Sequence, residues 1–272
     1  MTGIEDLSTE ERIALLTQTY SAEAGVYERC WAAGLQEMGR VLLDRLDLDG
    51  ARAVLDVGAG VGALLGDISE RAPEAMVVGS DRAEGMLALA PRCFGLAVAD
   101  ATRLPFGPGS FDLITMVFML FHLPHPVDGL REARRILRRG GRAASTTWGD
   151  DETWPALELW HEELGRYGAA EPEGLHSLHD YVDTPEKMAM HLRDAGFGEI
   201  ETWTGRLERR WDVESFVDRA TGMAIGKRRY ETLDPAVRPR FLETARARIQ
   251  ALPNSALVSR SEVIFAVGTR VR

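Results

Sequence analysis

One short stretch of the chain concentrates the residue types that handle a charged, hydroxylated ligand. In VLDVGAGVGALL, over 54–65, Asp56 is followed by Gly58, Gly60 and Gly62. Glycines let a backbone turn tightly and approach a ligand with no Cβ in the way. The run Gly58-Ala59-Gly60-Val61-Gly62-Ala63 also satisfies the spacing of a dinucleotide-binding turn. The surrounding acids argue for a different ligand. Asp56 stands two residues before the first glycine, where a carboxylate repels a pyrophosphate and attracts an ammonium. Asp81 closes VVGSD and is suited to accept both hydroxyls of a ribose, a feature shared by NAD and adenosyl ligands. Asp100-Ala101, in AVADAT, is suited to an exocyclic adenine amine. Three carboxylates of this kind fit a ligand with ammonium, ribose and adenine and without phosphate.

A second group of candidates could move a proton. His122 and His125 stand in FHLPHP, where each could serve as a base or simply cap the helix that follows. His176, His179 and Tyr181 lie in GLHSLHDY, with Trp154 and Trp160 upstream. The histidine pair has no matching carboxylate set, so no metal is expected. The tryptophans read as substrate walls or as plain packing.

The elements that must position these residues follow from the hydrophobic period. Ser8 and Glu11 have the spacing of a capping box opening a short first helix. Tyr20, Ala24, Tyr27, Trp31, Leu35, Met38 and Leu42 then recur every three or four residues, an aromatic-bearing helical stripe that either packs on a core or roofs a pocket. Short apolar runs at 51–58, 75–81, 93–100, 111–120 and 142–149 alternate with helical stretches, which predicts a parallel sheet covered on both faces. After 150 come helix and loop, an alternating strand at 198–211, helical stretches at 213–224 and 235–251, and a last strand at 261–270. The predicted fold is a doubly wound, Rossmann-like α/β sheet of seven strands, mostly parallel, with a C-terminal antiparallel hairpin and a helical lid. Residues 1–48 would cover the ligand site, 49–150 form the ligand-binding core, and 151–272 supply the lid and remaining strands of one catalytic domain. In such sheets the ligand lies at the carboxyl ends of the strands, where the strand order reverses. That is where Asp56, Asp81 and Asp100 fall.

Composition narrows the partners. Forty-two acidic against 32 basic residues give a net charge of −10, which disfavours a nucleic-acid partner. Arg134, Arg135, Arg138 and Arg139 read as a solvated helix face. Two cysteines, Cys30 and Cys93, make no disulfide framework and read as small buried hydrophobes. The N-terminus is acidic and polar, and MVFMLF at 116–121 is far short of a membrane span, so a cytoplasmic protein without a membrane partner is expected. Self-association into a homodimer is left open.

Together VLDVGAGVG, GSD, VADATRLPFGPGSFDLI and LREARRILRRGGR resemble the class I S-adenosylmethionine-dependent methyltransferases. Among them the chain is similar to the small-molecule branch that includes the ubiquinone and menaquinone biosynthesis methyltransferases. The resemblance is strong over 20–149. It implies S-adenosyl-L-methionine as cofactor and a small-molecule methyl acceptor, with O- or C-methylation favoured. It also implies roles for individual residues. Asp56, Gly58 and Gly60 would hold the methionine moiety and Asp81 the ribose. Asp100 and the Ala101 backbone would hold the adenine, with Arg82 beside the ring. Tyr20 and Tyr27 would lie over the methionine end and Val117 would face the sulfonium. Met116 and Phe118, on either side of Val117, depart from the small residues common there. His122, just past the fourth strand, is the candidate general base. Two other readings compete. One is an NAD(P)-dependent oxidoreductase using the same turn, for which no Ser/Tyr-x-x-x-Lys set is recognisable. The other is a non-catalytic, cofactor-binding module of the same fold.

Overall fold

The computed structural model describes residues 8–151, 153–170, 178–222 and 224–271. Ser8 caps the first helix, α1 (Thr9–Tyr27): its hydroxyl accepts from the Glu11 N–H, and the Glu11 carboxylate accepts from the Ser8 N–H at 2.8 Å. The expected short helix does not end before the aromatic stripe. No glycine or proline interrupts residues 9–24, so α1 runs on to Tyr27 and passes through a π turn (Glu28–Ala32) into α2 (Ala33–Leu43). The stripe at 20–42 therefore belongs to one long helical arm.

The seven strands are β1 (Ala53–Val57), β2 (Met76–Asp81), β3 (Gly95–Val98), β4 (Phe111–Val117), β5 (Leu137–Asp151), β6 (Gly198–Arg210) and β7 (Val258–Thr269). They form one sheet in the order β3-β2-β1-β4-β5-β7-β6. β1 to β5 pair in parallel; β7 runs antiparallel between β5 and β6. The order reverses between β1 and β4, as the predicted doubly wound topology requires. Helices α3 (Leu65–Arg71), α4 (Glu84–Leu87), α5 (Pro126–Ile136) and α7 (Pro185–Asp194) connect or cover these strands.

Three expectations are corrected. The strand expected to reach residue 120 stops at Val117, because Phe118 takes a left-handed φ of 51° and the chain enters a short 3-10 turn (Leu120–His122). β3 is the sheet's edge, partly exposed, and Cys93 in the turn before it is exposed; only Cys30 is buried. The arginines at 134–139 are not one solvated face. Arg135 donates to Glu132 and to the Leu104 and Phe106 carbonyls, Arg138 pairs with Asp112, and Arg134 donates to the Gly196 carbonyl.

The main core lies on both faces of the sheet, with Leu42, Leu55, Ile68, Ile114, Leu130 and Phe265 fully buried. A second apolar cluster is separate. It is built from α6 (Pro155–Arg166), α8 (Val213–Gly222) and α10 (Arg238–Gln250), around Trp160, Phe216 and Phe241. A third small cluster, Ala24, Ala32, Val61, Ala83 and Met86, joins the N-terminal arm to the glycine turn. No helix among the described residues is long and apolar enough to cross a membrane.

Candidate active site

β1 carries Asp56 to its carboxyl end, and the chain then turns through Gly58, Gly60 and Gly62 at φ of 74°, 56° and 72°. These are left-handed angles that disfavour any side chain. The N–H groups of Gly58 and Ala59 both donate to the Ser80 carbonyl, at 2.7 and 2.9 Å, which ties the turn to β2. A Cβ on Gly58 would meet Met119 at 2.6 Å, and one on Gly60 would crowd Met86 and the Tyr27 ring. Close approach and backbone angle thus both demand glycine.

The three predicted carboxylates converge at the ends of β1, β2 and just past β3. Asp56 is buried and accepts from the Thr115 hydroxyl of β4 at 2.7 Å. Burial pushes its carboxyl up to about 7; Thr115 opposes the rise and Asp81 adds to it. Asp81 accepts from the Ala83 N–H at 2.8 Å and the Gly60 N–H at 2.9 Å, one on each oxygen. Burial still raises its carboxyl against those bonds. Each oxygen keeps a second lone pair, the number a vicinal diol needs. Burial also raises the Asp100 carboxyl, but the Thr102 N–H and hydroxyl and the Arg82 guanidinium outweigh it and hold the group below the usual range. Arg82 reaches Asp100 at 3.0 Å, so these two predicted residues form one ion pair, and Ala101 is buried beside it.

The N-terminal arm roofs this floor. A Cβ on Gly85 would strike the Ser21 carbonyl at 2.4 Å, so α1 lies directly on α4. Tyr20 and Tyr27 stand edge to face with ring centres 6.1 Å apart. Burial and the nearby Asp81 and Glu23 push the Tyr20 phenol up to about 12. Burial, then Tyr20, Asp81 and Asp56, push the Tyr27 phenol far above its ordinary value. Between roof and floor is a pocket lined by Tyr27, Ala32, Leu35, Asp56, Gly58 and Val117, among others. Gln36, Ala32 and Leu35 were not singled out in the sequence as site residues; Leu35 was visible only as part of the helical stripe. The arrangement has an acid for an ammonium, a bifurcated acceptor for a diol, and a polar pair at the third strand. It fits an adenosyl ligand bearing an amino acid.

His122 ends the 3-10 turn after β4, and its Nε2 lies 3.1 Å from the Tyr20 hydroxyl, the two rings edge to face. That contact lies just past the end of β4. His125 instead is exposed at the N-cap of α5. Beyond Val117 the strained Phe118 is fixed by its N–H to the Thr146 carbonyl and by its ring 4.2 Å from Trp148, which faces Trp31 at 6.3 Å. Backbone strain of this kind clusters at functional sites. Trp154 and Trp160 are not walls of this pocket. They are buried against Phe216 and Phe241 within the second cluster. Tyr181 is half exposed. His176 and the His179 side chain lie outside the described residues. Among the described residues, no three His, Cys, Asp or Glu side chains converge as a metal site.

Comparisons with known proteins give the family. Residues 55–145 match the model of a methyltransferase domain. The chain is 32% identical over 226 residues to a ubiquinone/menaquinone biosynthesis C-methyltransferase of Dinoroseobacter shibae, covering 73% of this chain and 89% of that one. It is 31% identical over 183 residues to a malonyl-[acyl-carrier protein] O-methyltransferase of Geobacter sulfurreducens, covering 64% and 66%. Its fold matches an S-adenosylmethionine-dependent methyltransferase of Thermotoga maritima with a TM-score of 0.54 at 18% identity, over 93% of this chain and 99% of that one. The chain belongs to the class I S-adenosylmethionine-dependent methyltransferases, on the branch of the ubiquinone and menaquinone biosynthesis enzymes.

Proposed function

We propose that this enzyme methylates the oxygen or carbon of a small-molecule acceptor, bound between the N-terminal arm and the helices α6, α8 and α10, which act as a lid. The observation that carries this reading is the pocket under Tyr27 whose floor is the buried Asp56 and the glycine turn. His122, just past β4 with its Nε2 3.1 Å from the Tyr20 hydroxyl, supports a proton acceptor among the residues beyond the strand end. The relatives' names support both chemistries, since one acts on carbon and the other on oxygen.

S-adenosylmethionine, when bound, supplies a methyl group activated by its sulfonium. Asp56 and the turn at Gly58 and Gly60 hold the methionine end, the carboxylate facing the ammonium. Asp81 accepts the two ribose hydroxyls on its spare lone pairs. Asp100, Arg82 and the Ala101 backbone flank the adenine, while Val117 faces the sulfonium. Tyr20 and Tyr27 exclude water from above. His122 exchanges the Tyr20 hydroxyl for the acceptor's reacting hydroxyl or acidic C–H and takes its proton as the new bond forms. Aligning acceptor and methyl supplies much of the rate, and proton removal supplies the rest. Among the described residues the lid is tied to the arm where Lys227 of α9 (Ala224–Glu231) pairs with Glu23, where Arg219 of α8 stacks on Trp31, and where Gly222 lies against Val26, a Cβ there coming within 2.6 Å. Closure would thus move arm and lid together, as lids that sequester a reaction do.

The test is product mass spectrometry with methyl-labelled cofactor over a panel of phenols, enols, quinols and carboxylic acids. Label transferred to oxygen or carbon of one class supports the proposal. Label found only on nitrogen, or on protein, would overturn it.

A further inference from the structure

Arg209, at the end of β6, is out of keeping with an acidic protein whose other half-buried arginines mostly have acid or carbonyl partners. It is half-buried and lies along Gly34 of α2, where a Cβ would come within 3.2 Å of its Cδ. Burial pushes its guanidinium below the ordinary arginine value. Of its five N–H donors, one meets a protein acceptor, the Cys30 carbonyl. Among the described residues no carboxylate is ion-paired with it. Desolvated charges in proteins are ordinarily paired. Glu37 acts on the guanidinium through space without ion-pairing with it. A bidentate fork that no carboxylate among the described residues reaches, beside an active site, is a place for a ligand's anion.

Its surroundings connect it to the methyl-transfer pocket. Cys30 and Trp31 lie in the π turn of the N-terminal arm, a distortion frequent at functional sites. Ala32, the last residue of that turn, lines the pocket with Val117. The Arg209 guanidinium stacks 4.1 Å from the centre of the Trp211 ring, and Arg219 lies 5.5 Å from that ring and 4.9 Å from Trp31. Trp31 in turn faces Trp148, which packs on Phe118 next to Val117. An aromatic path thus leads from the end of β4 to two cations.

We propose that Arg209 determines acceptor specificity by binding a carboxylate at the far end of an aromatic acceptor, whose ring lies along Trp31 and Trp148. The inference rests on the small-molecule reading above and adds the charge of the molecule that fits. Arg219 supplements the positive field and Trp211 holds the Arg209 fork in plane. In this arrangement the carboxylate is a handle and the methylated atom lies elsewhere on the acceptor.

The test uses 2-naphthoate and 2-naphthamide, equal in shape and different in charge, titrated into full-length protein saturated with S-adenosylhomocysteine. The wild type should bind the acid about 10- to 100-fold more tightly than the amide, as a charge-assisted fork demands. Arg209→Gln keeps a polar, uncharged side chain, and Arg209→Met keeps the apolar stem against Gly34 and Trp211. Either should bring the acid-to-amide ratio close to one while leaving amide affinity within about threefold. Equal binding of the two probes by the wild type, or a ratio unchanged in the variants, would overturn the proposal. So would loss of S-adenosylhomocysteine binding in both variants, which would make Arg209 a pin for the N-terminal arm. Failure of the wild type to bind S-adenosylhomocysteine would instead strike the methyl-transfer reading itself.

Discussion

The floor of the pocket and its cover are built by different means. On the floor, the groups proposed to bind the ligand are held by the backbone. Three positive-φ glycines, the Ser80 carbonyl and the N–H groups of Gly60 and Ala83 place Asp56 and Asp81 at adjacent strand ends. The cover is held by side chains far apart in sequence. Tyr20 meets His122 across 102 residues, Lys227 meets Glu23, and Trp160 is buried against Phe216 and Phe241. A floor of this kind is rigid and suits one invariant ligand. A cover of packed side chains can be remodelled without disturbing it, which is how one fold serves many acceptors.

If floor and cover are independent, a change in the cover must spare cofactor affinity. His122→Ala should lower kcat by about 10²–10⁴-fold with S-adenosylhomocysteine affinity within about threefold, read by steady-state kinetics and titration. A large loss of cofactor affinity would merge the two regions and end the separate role of His122. Trp160→Ala empties the centre of the second cluster and should cost about 3–5 kcal/mol of stability, measured by urea denaturation. The lid should open first, seen as two transitions, while cofactor still binds below the first. A single transition with cofactor binding lost throughout would show that the cover is part of the floor's support.

Changes in the floor should do the reverse. Asp81→Ala removes charge-assisted hydrogen bonds to a diol and should weaken S-adenosylhomocysteine by about 1.5–3 kcal/mol. The Trp160 cluster should unfold as before. Unchanged affinity would remove Asp81 from the site. Asp56 gives the smallest and most diagnostic effect. Its carboxyl is pushed up to about 7, and a bound ammonium favours the ionised form. Below that pH binding must release a proton, so affinity should fall by up to about tenfold per pH unit as pH drops below 7. Asp56→Asn should flatten this profile. The same raised value means that this group stabilises the ligand-free fold at low pH. That contribution is lost as pH rises from the ordinary carboxylate range through about 7, and Asp56→Asn should remove the loss.

The floor was legible in the sequence because its determinants are local. Asp56 and the glycines occupy one turn, and each further acid stands at or just past the end of an apolar run. The arm was only half legible. Periodicity showed the stripe bearing Tyr20, Tyr27 and Trp31, but nothing local marked the π turn or the continuity of the helix. The cover was not legible. Whether Trp160 faces a substrate or a neighbouring helix depends on partners 56 and 81 residues away, and the sequence left both readings open. The pairing of Arg82 with Asp100 was equally hidden, since the two stand 18 residues apart on separate strand ends and nothing local links them.

The central claim is that Asp56, Asp81 and Asp100 form an adenosyl site without a phosphate pocket. Isothermal titration of the wild type with S-adenosylhomocysteine and, separately, with NAD tests it most directly. The account predicts one-to-one binding of S-adenosylhomocysteine and no measurable heat with NAD at the same concentration. Saturable NAD binding with none for S-adenosylhomocysteine would contradict it.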